Sequence, residues 1–429
     1  MRQILIVARQ TLREAIRNKI LFIFIILSLI AICCSIFMPV VGGDEDKIKI
    51  VESTCLRSIT FFGMLAAIML SASSIPSDIE NKLLWTITTK PISRANLILG
   101  KIVGFAYIIG LLLLIMGSAA YALIKITASS QNVQNGKPLL AREQYNPSDF
   151  QITGELAGKI GSLSWVEGGG KGASVWNFEG LCYRERSDDL EIETQLLVES
   201  NKSLKKKIPL SVKIINTYTG NSQMKLIDVY DNKKSVLKLD GKSLEGSEKL
   251  TIVVSPKNPG DYAGITSNSL RIFLGKKSFE YNYLKGLAII SAQFFLMVAI
   301  ATLGSTFLSL PVNILLCLFV FFCGNIIDFM RDLSTVINIF ETREHSHGLS
   351  SVVKEPNAFV LFMDYVLKKP LLALSYILPN FKKFNIENYL IDSVNIPYKK
   401  VFISFGYTVL YAMFCLPVSF IVFKRREIA

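Results

Sequence analysis

Charge is missing from five long stretches of this sequence. Residues 20–43, 58–77, 102–124, 286–327 and 401–423 hold no Asp, Glu, Lys or Arg, although charged residues make up 19% of the chain. An ionised side chain at mid-bilayer costs about 2.5–3.5 kcal/mol, while each Leu, Ile, Phe or Val returns only a few tenths. Each stretch reaches the ~20 residues that cross a hydrocarbon core of ~30 Å. With 51% apolar residues and a mean hydropathy of +0.41, the pattern excludes a soluble globular protein.

Histidine is nearly absent as well: His345 and His347 are the only two. Both lie outside the charge-free stretches, which excludes a histidine base at membrane depth and with it an intramembrane hydrolase. Glu341 and Glu344 stand close enough in sequence to join them as metal ligands, but a solvated loop is the preferred reading. A phosphate-binding loop is also lacking, because a P-loop needs glycine five residues before its Gly-Lys-Ser/Thr. Gly241-Lys242-Ser243 has Val236 at that place, and Gly170-Lys171 has Trp165 and continues with Gly172. The chain is expected not to be an enzyme, with no catalytic residue, cofactor or metal, and Asp240-Gly241 reads as a hairpin turn. Asp44, Glu45, Asp46, Asp188 and Asp189 cluster carboxylates without a histidine and read as solvated faces. Of the seven cysteines, Cys33, Cys34, Cys317, Cys323 and Cys415 fall inside apolar runs as small hydrophobes. Cys55 and Cys182 fall outside, where two free thiols are preferred to a bond between them.

What is present is a set of spans. The fourth stretch, about 42 residues, would extend roughly 63 Å as one helix and has to fold back. Pro311, lacking a donor and disfavouring helix before it, is the expected hinge. That gives six spans, the fourth and fifth near 286–309 and 312–328. The net charge of +13 is sorted along the chain and not gathered on one face, which argues against nucleic acid. Arg2, Arg9, Arg13, Arg17 and Lys19 precede the first span. Lys82, Lys90, Arg94 and Lys101 lie between the second and third, and Lys424, Arg425 and Arg426 follow the last. The positive-inside rule makes this side cytoplasmic, with both termini inside a cell membrane, of a bacterial kind. The first apolar run is too long for a signal peptide and lacks a cleavage site, so it is expected to stay.

Residues 2–19 place Ile4, Leu5, Ala8, Leu12, Ala15 and Ile16 on one helical face and Arg9, Arg13 and Arg17 on the other, an interfacial helix. Between the third and fourth spans, an insertion over about 126–282 carries β-branched runs such as LEIETQLLVES, KIPLSVKIINTY and KLTIVVS. Turn signals recur at 216–221, 231–232, 240–241 and 258–260. The expected fold class is therefore a mainly α, polytopic membrane protein with six transmembrane helices and an inserted, extracytoplasmic, sandwich-like all-β domain. Residues 1–125 form the first half, 126–282 the β domain and 283–429 the second half. Residues 329–400 are expected to hold short interfacial or re-entrant helices on the outer side.

The connection over 75–101, IPSDIENKLLWTITTKPISRANLILGK, has a polar helix start that Ser77 or Asp78 can cap, an apolar turn and a Pro-containing bend. An acidic helix followed by T-x-P-[IV]-S-R, with Gly-Lys opening the next span, resembles the permease subunits of type-two ABC exporters. Glu80, Leu84, Thr89, Pro91, Ile92, Ser93, Arg94, Gly100 and Lys101 carry the match. The amphipathic N-terminal helix, the six spans and LPNFKKFN at 378–385 fit the same family, over about 1–125 and 284–429. Two features depart from it: Asn81-Lys82 after Glu80, where relatives often have an acidic residue and glycine, and the β insertion.

The resemblance implies a coupling helix at 76–96 seated on a separate ABC ATPase subunit, with Asp78, Glu80, Lys82, Pro91, Ser93 and Arg94 at the contact. It also implies a dimer with a second permease copy or homologue in the lipid bilayer. The β domain would meet an extracytoplasmic partner or ligand. The alternative is a membrane-anchored receptor or structural protein in which that domain is the functional part.

Overall fold

The computed structural model describes residues 2–39, 44–80, 94–130, 139–160, 163–181, 190–200, 207–217, 220–239, 249–327, 373 and 375–425. They form two compact units. One comprises residues 1–138, 283–392 and 396–429, and the other 139–282 with 393–395.

In the helical unit the chain runs through α1 (Arg2–Arg17), α2 (Lys19–Cys34), α3 (Asp44–Glu80), α4 (Arg94–Ser130), α5 (Phe279–Ser305), α6 (Leu310–Asn325), α7 (Glu387–Ile391) and α8 (Tyr398–Arg425). Five of the described helices, α2 with its short 3₁₀ extension, α3, α4, α5 and α8, are long and apolar enough to cross a membrane. The fifth expected span, near 312–328, corresponds to α6, which is apolar but only 16 residues long, short of the ~20 needed. The break expected at Pro311 is present: α5 stops at Ser305, and Pro311 occupies the first turn of α6, where its missing N–H costs nothing.

The second span begins earlier than expected. Absence of charge marks where a helix can face hydrocarbon, not where it starts, and α3 opens at Asp44. Ile48, Val51, Cys55 and Ile59 recur at helical spacing and are all buried, while Arg57 sits on the other face and pairs with Glu387 at 2.8 Å. Cys55, expected outside, is therefore a buried free thiol beside Ser35. Helix α1, expected to be interfacial, also differs in detail. Val7, Ala8, Thr11 and Ala15 are its buried face, and Leu5, Ile6 and Ile16 are exposed.

Helix α5 places side chains against α3 and α4. A Cβ on Gly63 of α3 would fall 2.6 Å from the ring of Phe294, and one on Gly117 of α4 2.9 Å from Leu287; these two glycines let the helices approach α5. Tyr283 donates its hydroxyl to the Gly117 carbonyl at 2.9 Å, and Thr408 of α8 donates to the Ala292 carbonyl at 3.0 Å. Pro76, inside α3, has no N–H for the Ala72 carbonyl. The fully buried Asn313 of α6 supplies a donor there at 3.4 Å and a second to Ala301 at 3.0 Å. Near the start of α8, LPNFKKFN forms a 3₁₀ turn whose Phe381 and Phe384 are buried. Phe381 packs on Phe321 and Phe384 on Tyr407. Of the segment 329–400, expected to hold short interfacial or re-entrant helices, residues 329–372 and 374 lie outside the described residues.

The other unit is antiparallel throughout its described strand pairs. Its strands are β1 (Leu140–Tyr145), β2 (Asp149–Gly154), β3 (Leu156–Ile160), β4 (Leu163–Glu167), β5 (Gly172–Glu179), β6 (Leu190–Gln195) and β7 (Leu197–Ser200). They continue with β8 (Lys207–Asn216), β9 (Ser222–Tyr230), β10 (Lys234–Leu239), β11 (Lys249–Pro256), β12 (Asp261–Ile265) and β13 (Leu270–Ser278). The sheets run β1-β13-β6-β10, β2-β5-β11-β8-β9 and β3-β4-β12-β7. Alternation buries Ile208, Leu210, Val212 and Ile214 of β8 and Leu250, Ile252 and Val254 of β11 in one core with Trp176, Phe178, Ile192 and Ile272. Trp176 donates its indole N–H to the Ser267 carbonyl at 3.2 Å. The turns at 216–221, 231–232 and 258–260 join β8 to β9, β9 to β10 and β11 to β12, with Gly220, Asn232 and Gly260 at positive φ. The turn at 240–241 lies outside the described residues.

Replacing Asn313 by Leu strands the Ala72 carbonyl in an apolar interior, at a cost of about 1–3 kcal/mol. The expected outcome is a matching loss of unfolding free energy in mixed micelles. Pro76→Ala in the same chain, which returns a backbone donor to Ala72, is expected to recover part of it.

Candidate functional site

Residues 81–93 connect α3 to α4, and the two helices meet where that connection leaves them. Ser74 and Asp78 stand four residues apart and therefore on one face of α3, and Lys101 faces them from the second turn of α4. All three donors of the Lys101 ammonium are used: an ion pair with the Asp78 carboxylate, a hydrogen bond to Ser74 Oγ at 2.6 Å and another to the Ser74 carbonyl at 3.1 Å. Asp78 is 6% exposed and Lys101 2%. Ile75, Leu97, Ile98 and Phe423 pack beside them as one apolar cluster, so the pair sits in a medium where attraction is strong and an unpaired charge is costly.

Helix α1 is seated on α4 at the same end. A Cβ on Gly100 would fall 2.6 Å from Val7, and one on Gly104 2.7 Å from Thr11. The G-x-x-x-G spacing of GKIVG thus makes the groove into which the small face of α1 fits. Gln3 accepts a hydrogen bond from Asn96 at 2.8 Å.

Of the residues singled out for an ATPase contact, Asp78 is engaged inside the helical unit and not presented at its surface. It does not open a separate coupling helix either: α3 continues through Pro76 to Glu80, because Asn313 takes up the carbonyl that proline leaves, and Ser77 and Asp78 lie in its last turns. Glu80 and Arg94 are the final residue of α3 and the first of α4; their side chains, and Lys82, Pro91 and Ser93, lie outside the described residues. His345 and His347 lie outside them too, and no cluster of metal-binding side chains exists among the described residues.

The Lys101–Asp78 pair is buried at the edge of two charge-free stretches, and the absence of charge within those stretches did not reveal it. The available signal was Lys101 itself, a cation between LIL and IVGF that needs a partner at that depth. Glu52 was missed for another reason. It precedes the charge-free stretch 58–77, yet it is buried in α3, and its Oε1 has no hydrogen-bond partner among the described residues.

In the β unit, Met224, Leu226 and Tyr230 are exposed on β9, at the end of the five-stranded sheet. Lys207 lies 5.5 Å from the Tyr230 ring and 2.9 Å from the Asp228 carboxylate, and the hydrogen bond and charge of Asp228 raise the pKa of this lysine.

No family model and no curated protein matches the sequence. Among solved structures, TmCBM61 in complex with β-1,4-galactotriose matches at 14% identity and a TM-score of 0.18, covering 31% of this chain and 91% of that one. The CBM22-1–GH10 modules of Clostridium thermocellum endo-1,4-β-D-xylanase 10B with xylohexaose match at 11% identity and a TM-score of 0.19, covering 32% of this chain and 26% of that one. Likenesses this low assign neither a fold family nor a ligand to this chain.

Removing one partner of a buried pair strands the other charge, at a cost of about 3–5 kcal/mol. Asp78→Ala is expected to lose that much unfolding free energy in mixed micelles, whereas the double change Asp78→Leu with Lys101→Met is expected to restore most of it.

Proposed function

We propose that this chain is the membrane-spanning permease subunit of an ATP-driven ABC exporter, working as a dimer with two ATPase subunits. The observation that carries the proposal is the clamp of Lys101 on Asp78 and Ser74. It ties the two helices that bracket residues 81–93 at the point where they leave that connection. A connection between two long helices transmits displacement only if the helices do not splay when pushed. A buried ion pair with every ammonium donor engaged resists that splaying.

Support also comes from the wording of the connection, T-x-P-[IV]-S-R with Gly-Lys after it, and from α1 packed into the G-x-x-x-G groove of α4. On this reading residues 81–93 lie in the cytoplasm and seat in the ATPase, with Glu80, Lys82, Pro91, Ser93 and Arg94 at the contact and Asp78 holding the helices behind it. Counting α6 as a span puts both termini inside and the β unit outside. A path between two copies, lined by apolar and small hydroxyl side chains, suits an amphipathic, lipid-linked or peptide substrate better than a small ion. The exposed Met224, Leu226 and Tyr230 give the β unit a surface for a partner or ligand.

Purification of the tagged chain in mild detergent is expected to bring down a soluble ATPase. Reversing Glu80→Lys and Arg94→Glu together should lower its recovery at least tenfold without changing the chain's own melting. If no ATPase accompanies the unaltered chain, or if an impermeant reagent outside intact cells labels residues 81–93, the exporter reading fails and an anchored receptor takes its place.

A further inference from the structure

At the end of the helical unit where α1 lies, a cavity of about 630 Å³ opens between α1, α3 and α4. Its size falls within the roughly 300–1,000 Å³ of small-molecule sites. Its lining is graded: Leu70, Ala15 and Phe105 are apolar, Ser73, Ser74 and Ser77 of α3 add hydroxyls, and Gln10, Arg13, Arg17 and Asn18 come from α1 and its junction with α2.

The charges do not cancel within this lining. Two carboxylates reach it: Asp78 is neutralised by Lys101, whereas Glu14, which accepts a hydrogen bond from the neutral Gln10 amide at 2.9 Å, keeps its charge, so that Arg13 and Arg17 leave the lining with an excess of one positive charge. Arg13 and Arg17, one helical turn apart, form no ion pair or hydrogen bond among the described residues and are exposed. Two planar guanidiniums at the same cavity, with hydroxyls on the facing wall, offer the bidentate donors that phosphate oxygens take. The apolar lining beside them suits hydrocarbon.

We infer that this cavity binds a phosphate group, held by Arg13 and Arg17 against Ser73 and Ser77, with the phosphodiester of an anionic phospholipid and free phosphate as the two sources of that chemistry. The inference needs only α1 at the bilayer edge and stands whether or not the chain is an exporter.

Melting of the purified full chain in a neutral detergent separates the possibilities, with dioleoyl phosphatidylglycerol, dioleoyl phosphatidylcholine and inorganic phosphate added in parallel. Phosphatidylglycerol is expected to raise the midpoint at concentrations at least tenfold below those at which phosphatidylcholine acts. Arg13→Ala with Arg17→Ala should abolish that advantage while leaving the lipid-free midpoint unchanged. Arg9→Ala, on the same helix but outside the cavity, should not affect it. A response to phosphatidylglycerol without one to millimolar phosphate identifies a lipid headgroup. An equal response to inorganic phosphate, lost in the same double variant, identifies a free phosphate. Equal responses to the two lipids with none to phosphate, an undiminished advantage in the double variant, or an equal loss in Arg9→Ala overturns the inference.

Discussion

A polar group carried into the apolar part of a helical bundle has no water to turn to, so its partner has to be another part of the chain. That constraint determines which helices of this protein are joined and where. Lys101 closes on Asp78 and Ser74 and ties α4 to α3. Asn313 closes on the carbonyl that Pro76 leaves open in α3. Tyr283 and Thr408 reach the backbone of α4 and α5. Each bond is worth little against water, but the alternative here is an orphaned group in hydrocarbon or packed protein, and the cost of that alternative fixes the arrangement.

Between these polar ties the helices are held by close approach. Lipid tails are as apolar as leucine, so burial alone gives no reason for one apolar helix to leave lipid for another. Glycines at 63, 100, 104 and 117 remove the side chains that would keep the axes apart. Their placement explains why side chains of α5 fit against α3 and α4 and why α1, a helix with four arginines, lies along α4. The β unit obeys different physics. Its alternating strands bury one face in a single core through the hydrophobic effect, which water supplies and the bilayer does not.

This difference explains what could be read in advance. Part of the β unit was legible, because period-2 runs and turn residues are local signals: the runs singled out at 190–200, 207–218 and 249–255 coincide with β6 and β7, β8 (Lys207–Asn216) and β11, whereas the other nine described strands were not singled out. The charge-free runs were legible as apolar helices for the same reason. Helix ends were not: charge marks the edge of hydrocarbon, whereas α3 continues 14 residues before Ser58 because Ile48, Val51 and Cys55 have a protein surface to cover. The site was legible only in outline. The wording of 75–101 pointed to the right place, but Asp78 was assigned to an outside partner because its inside partner lies 23 residues away, across a connection that no local rule spans.

The two charge systems at that end of the bundle also divide the work between them. Lys101 and Asp78 neutralise each other within the protein, so they hold the helices but present little field beyond them. Arg13 and Arg17, on α1, form no ion pair or hydrogen bond among the described residues and keep their field, against the single charge of Glu14. Asp78 reaches the cavity as well, and without Lys101 its carboxylate would stand there uncompensated beside Glu14 and balance the two arginines. By offsetting the Asp78 charge, Lys101 leaves the cavity its positive balance. The clamp between α3 and α4 and the anion-attracting surface of α1 are thus consequences of the same pairing.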